Sequence, residues 1–487
     1  MNEKTRNYQV ILSIFVLLIL ILRLYYGFQS PNLTPDSYFE FRHIESIKET
    51  GFLLYMDSLS FSGNYHESSP LYYYFLAILS LFSPIILTAK FVNALLASLV
   101  IIPIFLITKE LTNNKIGLII SFFSGFIPLF YSVTINRISY LSLSTLLFFL
   151  SVFYFIDLKN SKNITKYLTI LVLLVLTSPL SLVLVLGFLV YIIILKLENL
   201  KVKPEESEIM IFSTVFILWG NFLIFKNAIT THGFKVMTQN IPDVIIKNYF
   251  QQASFFEIIF SISIIPLILG IITIYNTFVK RRNRNNFLII SLVISFFITI
   301  WLKIVSFQTG IIFFSFLLFI LASRGLQISI SYMNKIKGGI SKFFLPLIII
   351  LLFLTTILPT ITIASKELKT YDIKSFEWLE NTPENAIILG TLEEGNLISY
   401  FGNRKNVIDT NFLLTNNPGQ KLEDIKIIYK TPFKTTAIHL INKYGINYII
   451  QTEDSIDKYG KLTFVNDICF ELVYNKKTKI YKSECRI

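Results

Sequence analysis

The sequence predicts a polytopic α-helical membrane protein of about eleven spanning helices, ending in an α/β domain outside the membrane. Three observations predict it. Hydrophobic residues make up 53% of the 487 residues and the mean hydropathy is +0.61, and the apolar runs recur at lengths of roughly 17 to 25 residues, enough to cross a bilayer. Charge is confined to short segments between those runs. From about Lys366 the pattern changes to mixed polar and apolar residues with turn signals. The net charge of +13, from 44 Lys and Arg against 31 Asp and Glu, is explained first by cytoplasmic loops, so no nucleic-acid partner is expected.

Taken in order, the runs place helices at 9–27, 86–108, 115–134, 141–157, 164–178, 180–196, 207–226, 255–279, 287–303, 306–322 and 343–364. The first follows a basic N-terminus without a small-residue cleavage site and reads as a retained helix. Lys4 and Arg6, Lys109 and Lys115, 157–166, 196–208, the run Lys280, Arg281, Arg282 and Arg284, and 324–342 all fall on one side, which the positive-inside rule makes cytoplasmic. The opposite, external side receives 28–85, a link around Arg137, the loop Asn227 to Ser254, a link around Gln308, and everything after Ser365. Leu71 to Phe82 is too short to span, and its tyrosines, Tyr72 to Tyr74, suit headgroup depth. Arg23, near the end of the first helix, either snorkels or serves a function at membrane depth.

The chain thus divides into a membrane domain, 1–365, whose external loop 28–85 carries the candidate site, and a soluble external α/β domain, 366–487. In the second, helices at 372–381 and 434–444 alternate with strands at 386–389, 406–408 and 446–451. A hairpin at 468–474 and 479–484 closes it. The two cysteines, Cys469 and Cys485, lie nearly opposite each other there, either bridged in an oxidising compartment or as two thiols. Asn32 and Asn163 match the N-glycosylation pattern, and only Asn32 is external.

The most informative stretch is Thr34 to Pro70. It gathers Asp36, Glu40, Arg42, His43, His66 and Glu67 at the point where the chain leaves its first membrane helix. Pro35 and Asp36 mark a helix start with Asp36 at or near the N-cap, and Asp36, Glu40 and His43 then share a helical face. An interfacial amphipathic helix with solvated charges explains the same spacing. A carboxylate beside cations can serve as a general base next to an Arg or Lys that holds an anion.

The residues Asp36-Ser-Tyr38-Phe39-Glu-Phe-Arg42, with Gly51-Phe52 after the helix, resemble the first external loop of the catalytic subunit of oligosaccharyltransferases. These are GT-C membrane glycosyltransferases that move a lipid-linked glycan onto asparagine. A second match lies far along the chain: Phe376-Glu-Trp378-Leu, Asn381-Thr-Pro383, 388–398, then Gly402-Asn-Arg404 to Asp409-Thr-Asn411. It is similar to the family's segment around its WWDYG signature. The resemblance implies a polyprenyl-phosphate-linked sugar donor and Asp36 as the catalytic and metal-binding carboxylate. It also implies Glu257 as a second ligand for Mg2+ or Mn2+, and a protein, lipid or glycan acceptor bound near Glu393.

The chain departs from the family at both acidic motifs. Thr391-Leu392-Glu393-Glu394-Gly395 stands where WWDYG is expected, and Asn136-Arg137 stands where a second acidic metal-binding pair is expected. Arg42, Arg137 and His66 are candidate phosphate contacts, with Lys303 an alternative to Arg137, and Glu67 is a candidate replacement acid. The segment His66 to Tyr74 is similar to GT-C transferases that use polyprenyl-monophosphate sugars without a metal, so a metal-free reaction remains the alternative. A non-catalytic partner keeping the fold is a further alternative. A transporter is disfavoured, because no matched pair of broken helices is evident.

Overall fold

The computed structural model describes residues 3–158, 161–251, 261–280, 282–335, 341–365, 371–465 and 468–485. They form two compact units. One comprises Met1–Pro31, Ser69–Ile224 and Tyr249–Glu367, and the other Asn32–Ser68, Phe225–Asn248 and Leu368–Ile487. The segment after the first helix and the loop after Ile224 therefore cluster with the C-terminal segment.

The first unit is a helical bundle. Its opening helices are α1 (Glu3–Gln29), α3 (Leu71–Leu79), α4 (Ile85–Leu99), α5 (Ile101–Leu111), α6 (Asn114–Ser124), α7 (Pro128–Thr134) and α8 (Leu141–Ile156), with α2 (Asp36–Thr50) belonging to the other unit. Among the described residues six helices are long and apolar enough to cross a membrane, or seven if a bent pair counts as one. Shorter apolar helices cover Leu141–Ile156, Ser181–Leu197 and Ile264–Val279.

The bent pair corrects the expectation of one continuous helix over 115–134. Helices α6 and α7 meet at 52°, because Pro128 near the start of α7 has no N–H to continue the ladder. The carbonyl of Phe126 freed at the break accepts a 2.6 Å hydrogen bond from the Thr360 hydroxyl, so the broken ladder is satisfied from a neighbouring helix. Elsewhere the bundle closes by small residues and aromatic packing. A Cβ at Gly325 would sit 2.0 Å from the Leu269 carbonyl oxygen, and Thr273 donates across the same helix pair to Leu321 at 2.8 Å. Phe148, Phe149, Phe296 and Phe313 interlock with ring centroids 5.1–6.0 Å apart.

Several polar groups in this unit meet structural partners. Lys90 donates to the carbonyls of Gly27 at 2.9 Å and Ser30 at 2.5 Å, capping the negative end of α1. Arg23 does not snorkel. It is 1% exposed, donates to Thr134 Oγ1 at 2.7 Å, and its guanidinium lies 4.1 Å from the Tyr131 ring centroid. Tyr72 and Tyr73 are buried inside protein. Tyr72 donates to Asn93 at 2.7 Å, Ser142 donates to the same oxygen at 2.8 Å, and the Asn93 amide donates to the Arg137 carbonyl.

The second unit is α/β. Strands β3 (Ile387–Leu389), β4 (Lys405–Asn406), β5 (Tyr448–Gln451), β6 (Phe470–Asn475) and β7 (Lys479–Ser483) form one sheet in the order β4-β3-β5-β7-β6. The β3 pairings are parallel and the β5–β7 and β6–β7 pairings antiparallel. Ile388, Leu389, Ile449 and Ile450 are fully buried in it, matching the short apolar runs that mark central strands. Cys469 and Cys485 are bonded, with Cα atoms 4.9 Å apart. A two-residue ladder, β1 (Met56–Asp57) with β2 (Asn64–Tyr65), lies in the first-loop segment.

Candidate functional site

The site builds from the segment 391–411, which binds the first-loop segment within the second unit. Asn406 is the hub. Its Oδ1 accepts from the Phe61 N–H at 2.9 Å, its N–H donates to the Leu59 carbonyl at 2.8 Å, and its amide donates to Gly395 O, Ser399 and Asp409. The Ser60 hydroxyl donates to Asp409 at 2.6 Å. Gly395 is required here because a Cβ would sit 2.0 Å from the Ile408 carbonyl oxygen. The α2 helix lies against the helix Glu394–Phe401 through Tyr38, whose ring is 5.1 Å from Tyr400 and 4.7 Å from Phe401. Tyr400 also donates to Glu45 at 3.0 Å.

Asp36 is the first residue of α2, after Pro35. Its Oδ1 accepts from the Thr410 hydroxyl at 3.2 Å, and Thr410 in turn accepts from the Asn396 amide at 3.0 Å. A chain of two hydrogen bonds thus runs from the residue after Gly395 to the carboxylate of the first loop, across 374 positions of sequence. Tyr371 faces this region. Burial, and then the negative charge of Asp454, Glu393, Glu394 and Asp36, push its phenol well above its ordinary range.

Glu393 and Glu394 divide the roles that the sequence reading gave to one residue. Glu393 pairs with Lys458, which also meets Asp454 at 2.9 Å, and remains 40% exposed. Glu394 is fully buried, accepting from the Thr391 N–H at 2.7 Å and from the Thr452 hydroxyl. Burial pushes its carboxyl up to about 7, and the hydrogen bonds from Thr452 and Thr391 offset only part of that. The adjacent identical residues gave no local signal for which one turns inward.

Arg42 and His66 do come together, around an acid the sequence reading missed. Arg42 grips Asp57 with both terminal nitrogens, at 2.6 and 2.5 Å, and His66 Nε2 lies 3.6 Å from Asp57 Oδ2. Asp57 is fully buried and also accepts from the N–H groups of Leu59 and Ser60 at 2.8 and 3.2 Å. Burial alone would raise its pKa. The His66 contact, the Arg42 charge and hydrogen bonds, and the Leu59 N–H together hold it well below the carboxylate range. The Arg42 fork is therefore filled by a carboxylate. His43, buried beside Phe39 and His66, is held down to about 3 by burial and by the nearby His66 and Arg42, with Asp57 opposing.

Glu67 takes a structural position too. Its two oxygens accept from the N–H groups of Asn227 and Ala228, at 3.0 and 2.9 Å, capping the helix Lys226–His232. Arg404, in the turn after the second motif, is buried and donates to the carbonyls of Glu380 and Thr382. Arg137 belongs to the membrane unit, half-buried, next to Asn136 in the left-handed region at φ +52°. Glu257 lies outside the described residues. Among the described residues no group of three or more His, Cys, Asp or Glu is placed to hold a metal ion. The neighbours of Asp36 named above, Thr410 and Asn396, are a hydroxyl and an amide. Mg2+ and Mn2+ take several oxygen ligands including carboxylates, and of the two carboxylates the sequence offers for them, Asp36 and Glu257, the described residues include Asp36.

No family model matches this chain, and no curated protein sequence does. Solved structures do match it. The archaeal oligosaccharyltransferase AglB from Archaeoglobus fulgidus, in complex with an inhibitory peptide and a dolichol-phosphate, aligns with a TM-score of 0.68 at 13% identity over 92% of this chain and 69% of that one. The Archaeoglobus fulgidus oligosaccharyltransferase in complex with Zn and sulfate aligns at 0.61 and 13% identity, over 89% and 67%. ArnT from Cupriavidus metallidurans bound to undecaprenyl phosphate aligns at 0.56 and 11% identity, over 98% of both chains. The chain has the fold of the GT-C membrane glycosyltransferases.

Proposed function

We propose that this protein is a GT-C glycosyltransferase that uses a polyprenyl-phosphate-linked donor at the extracytoplasmic membrane surface, with Asp36 as its catalytic carboxylate. The observation that supports it most is the hydrogen-bonded chain Asn396–Thr410–Asp36. It brings the two segments that resemble oligosaccharyltransferases onto one side chain. In the reaction, an acceptor O–H or N–H attacks the anomeric carbon of the donor sugar. Its proton passes to the Asp36 carboxylate, the bond from that carbon to the phosphate oxygen breaks, and the lipid phosphate leaves with the electron pair. Thr410 orients the carboxylate by its hydrogen bond. Arg42 holds Asp57 and is not assigned to the donor phosphate, and Glu393, the exposed member of the adjacent pair, is assigned to the acceptor side.

A second reading, transfer from a polyprenyl monophosphate sugar to a hydroxyl, is favoured by Asn136-Arg137 standing where the oligosaccharyltransferase family has an acidic pair. The likeness to ArnT over the full length of both chains supports it as well. The Cys469–Cys485 bond and the one-sided basic turns support an extracytoplasmic C-terminal unit. Radiolabelled sugar transfer out of the lipid fraction of membranes expressing the chain tests the proposal. Asp36→Asn should lose at least 100-fold of the rate, the lower range for a general base. Unchanged transfer at equal protein level refutes the catalytic reading, and a chelator separates the metal-dependent reaction from the metal-free one.

A further inference from the structure

An apolar groove on the membrane unit has no part in the proposed reaction. It has a volume of about 430 Å3 and lies between α1, α6 and the helix Ser341–Leu352, walled by Tyr8, Phe15, Ile119, Phe122 and Ile349. The Phe15 and Phe122 rings meet at a tilt, with centroids 4.6 Å apart. Lys115, the one charged residue among those lining it, is exposed and has no ion-pair partner among the described residues. We infer that this groove is a binding site for one acyl chain of an anionic phospholipid, whose headgroup phosphate Lys115 holds.

Three features select that occupant. The walls belong to helices α1 and 342–364, which are long and apolar enough to cross the membrane, and to α6 of the bent pair, so a lipid tail can enter from the side. Lys115 stands in the first turn of α6 and Phe122 two turns further on. At 1.5 Å per residue the groove runs roughly 10 Å from its charged end, a third of a hydrocarbon core of about 30 Å. This length fits the upper part of a chain in the leaflet next to the basic turns and not a ligand that crosses the bilayer. The volume lies in the lower part of the range for small-ligand sites, about 300–1,000 Å3, which admits one chain. A lone ammonium at the polar end complements a phosphate and offers nothing to a neutral headgroup.

Native mass spectrometry of the full-length protein, released from detergent after titration with phosphatidylglycerol or phosphatidylcholine of matched chains, tests the inference. The wild type should retain phosphatidylglycerol at collision energies that strip phosphatidylcholine. Lys115→Gln should reduce that retention at least threefold, and Ile119→Trp, which fills the groove, should reduce retention of both lipids. Equal retention of the two lipids by the wild type overturns the headgroup assignment. Unchanged retention in both variants overturns the site. Lys115 is exposed, so its variant remains decisive if the tryptophan variant does not fold, and neither result bears on Asp36.

Discussion

Replacing Arg42 by alanine distinguishes a residue that builds the first loop from one that touches substrate. Asp57 is fully buried, and with Arg42 gone its carboxylate keeps only the N–H groups of Leu59 and Ser60 and the His66 ring at 3.6 Å. Removing one partner of a buried ion pair costs about 3–5 kcal/mol. Two backbone donors remain and Arg42 is itself 13% exposed, so the lower end, about 3 kcal/mol, is expected. For a unit of this size that corresponds to a fall in Tm of about 6–12 °C. The change is read from the fluorescence of Trp378, the tryptophan of the second unit, during thermal unfolding of the purified chain. Arg42→Ala with Asp57→Asn should recover part of the loss, since no charge is left unpaired. The Asp57 pKa is depressed in the fold, so the stability it contributes is present above the unfolded carboxylate value, about 3.9. It is lost as pH falls through the lower folded value, and the difference between wild type and Arg42→Ala should shrink below about pH 4. A Tm within about 2 °C of wild type together with lost sugar transfer would refute this and return Arg42 to the donor phosphate.

Glu394 carries the opposite sign. Its carboxyl is raised from 4.5 to about 7, so its contribution is present below the lower value and disappears as pH rises through the upper one. Glu394→Gln should remove this slope and exceed wild type at pH 8 by roughly 3 kcal/mol, checked by Tm measured at pH 5 and pH 8; parallel pH profiles would contradict the burial argument. Gly395→Ala forces a Cβ to 2.0 Å from the Ile408 carbonyl, an overpacking against backbone that should cost about 1–3 kcal/mol or more. It should also slow transfer by displacing Asn396 and, through Thr410, Asp36, and a variant with wild-type Tm and rate would show that the helix tolerates the shift.

The membrane class, the positions of most apolar helices, the start of α2 beside Asp36 and the hairpin that brings Cys469 to Cys485 were all legible in the residues. Each rests on a pattern within one turn or one strand, and such patterns are local by physics. The break between α6 and α7 was partly legible, since Pro128 marks it, but its tolerance depends on a hydroxyl at position 360. The site was legible only as a list of charged residues. That Arg42 belongs to Asp57, that Glu394 turns inward while Glu393 faces Lys458, and that Asp36 receives Thr410 are decided by tertiary structure. Spacing along the chain fixes which face of an element a side chain occupies. Which face of which distant element meets it is set by how the sheet, α2 and the 391–411 turn close on one another, and no local period encodes that.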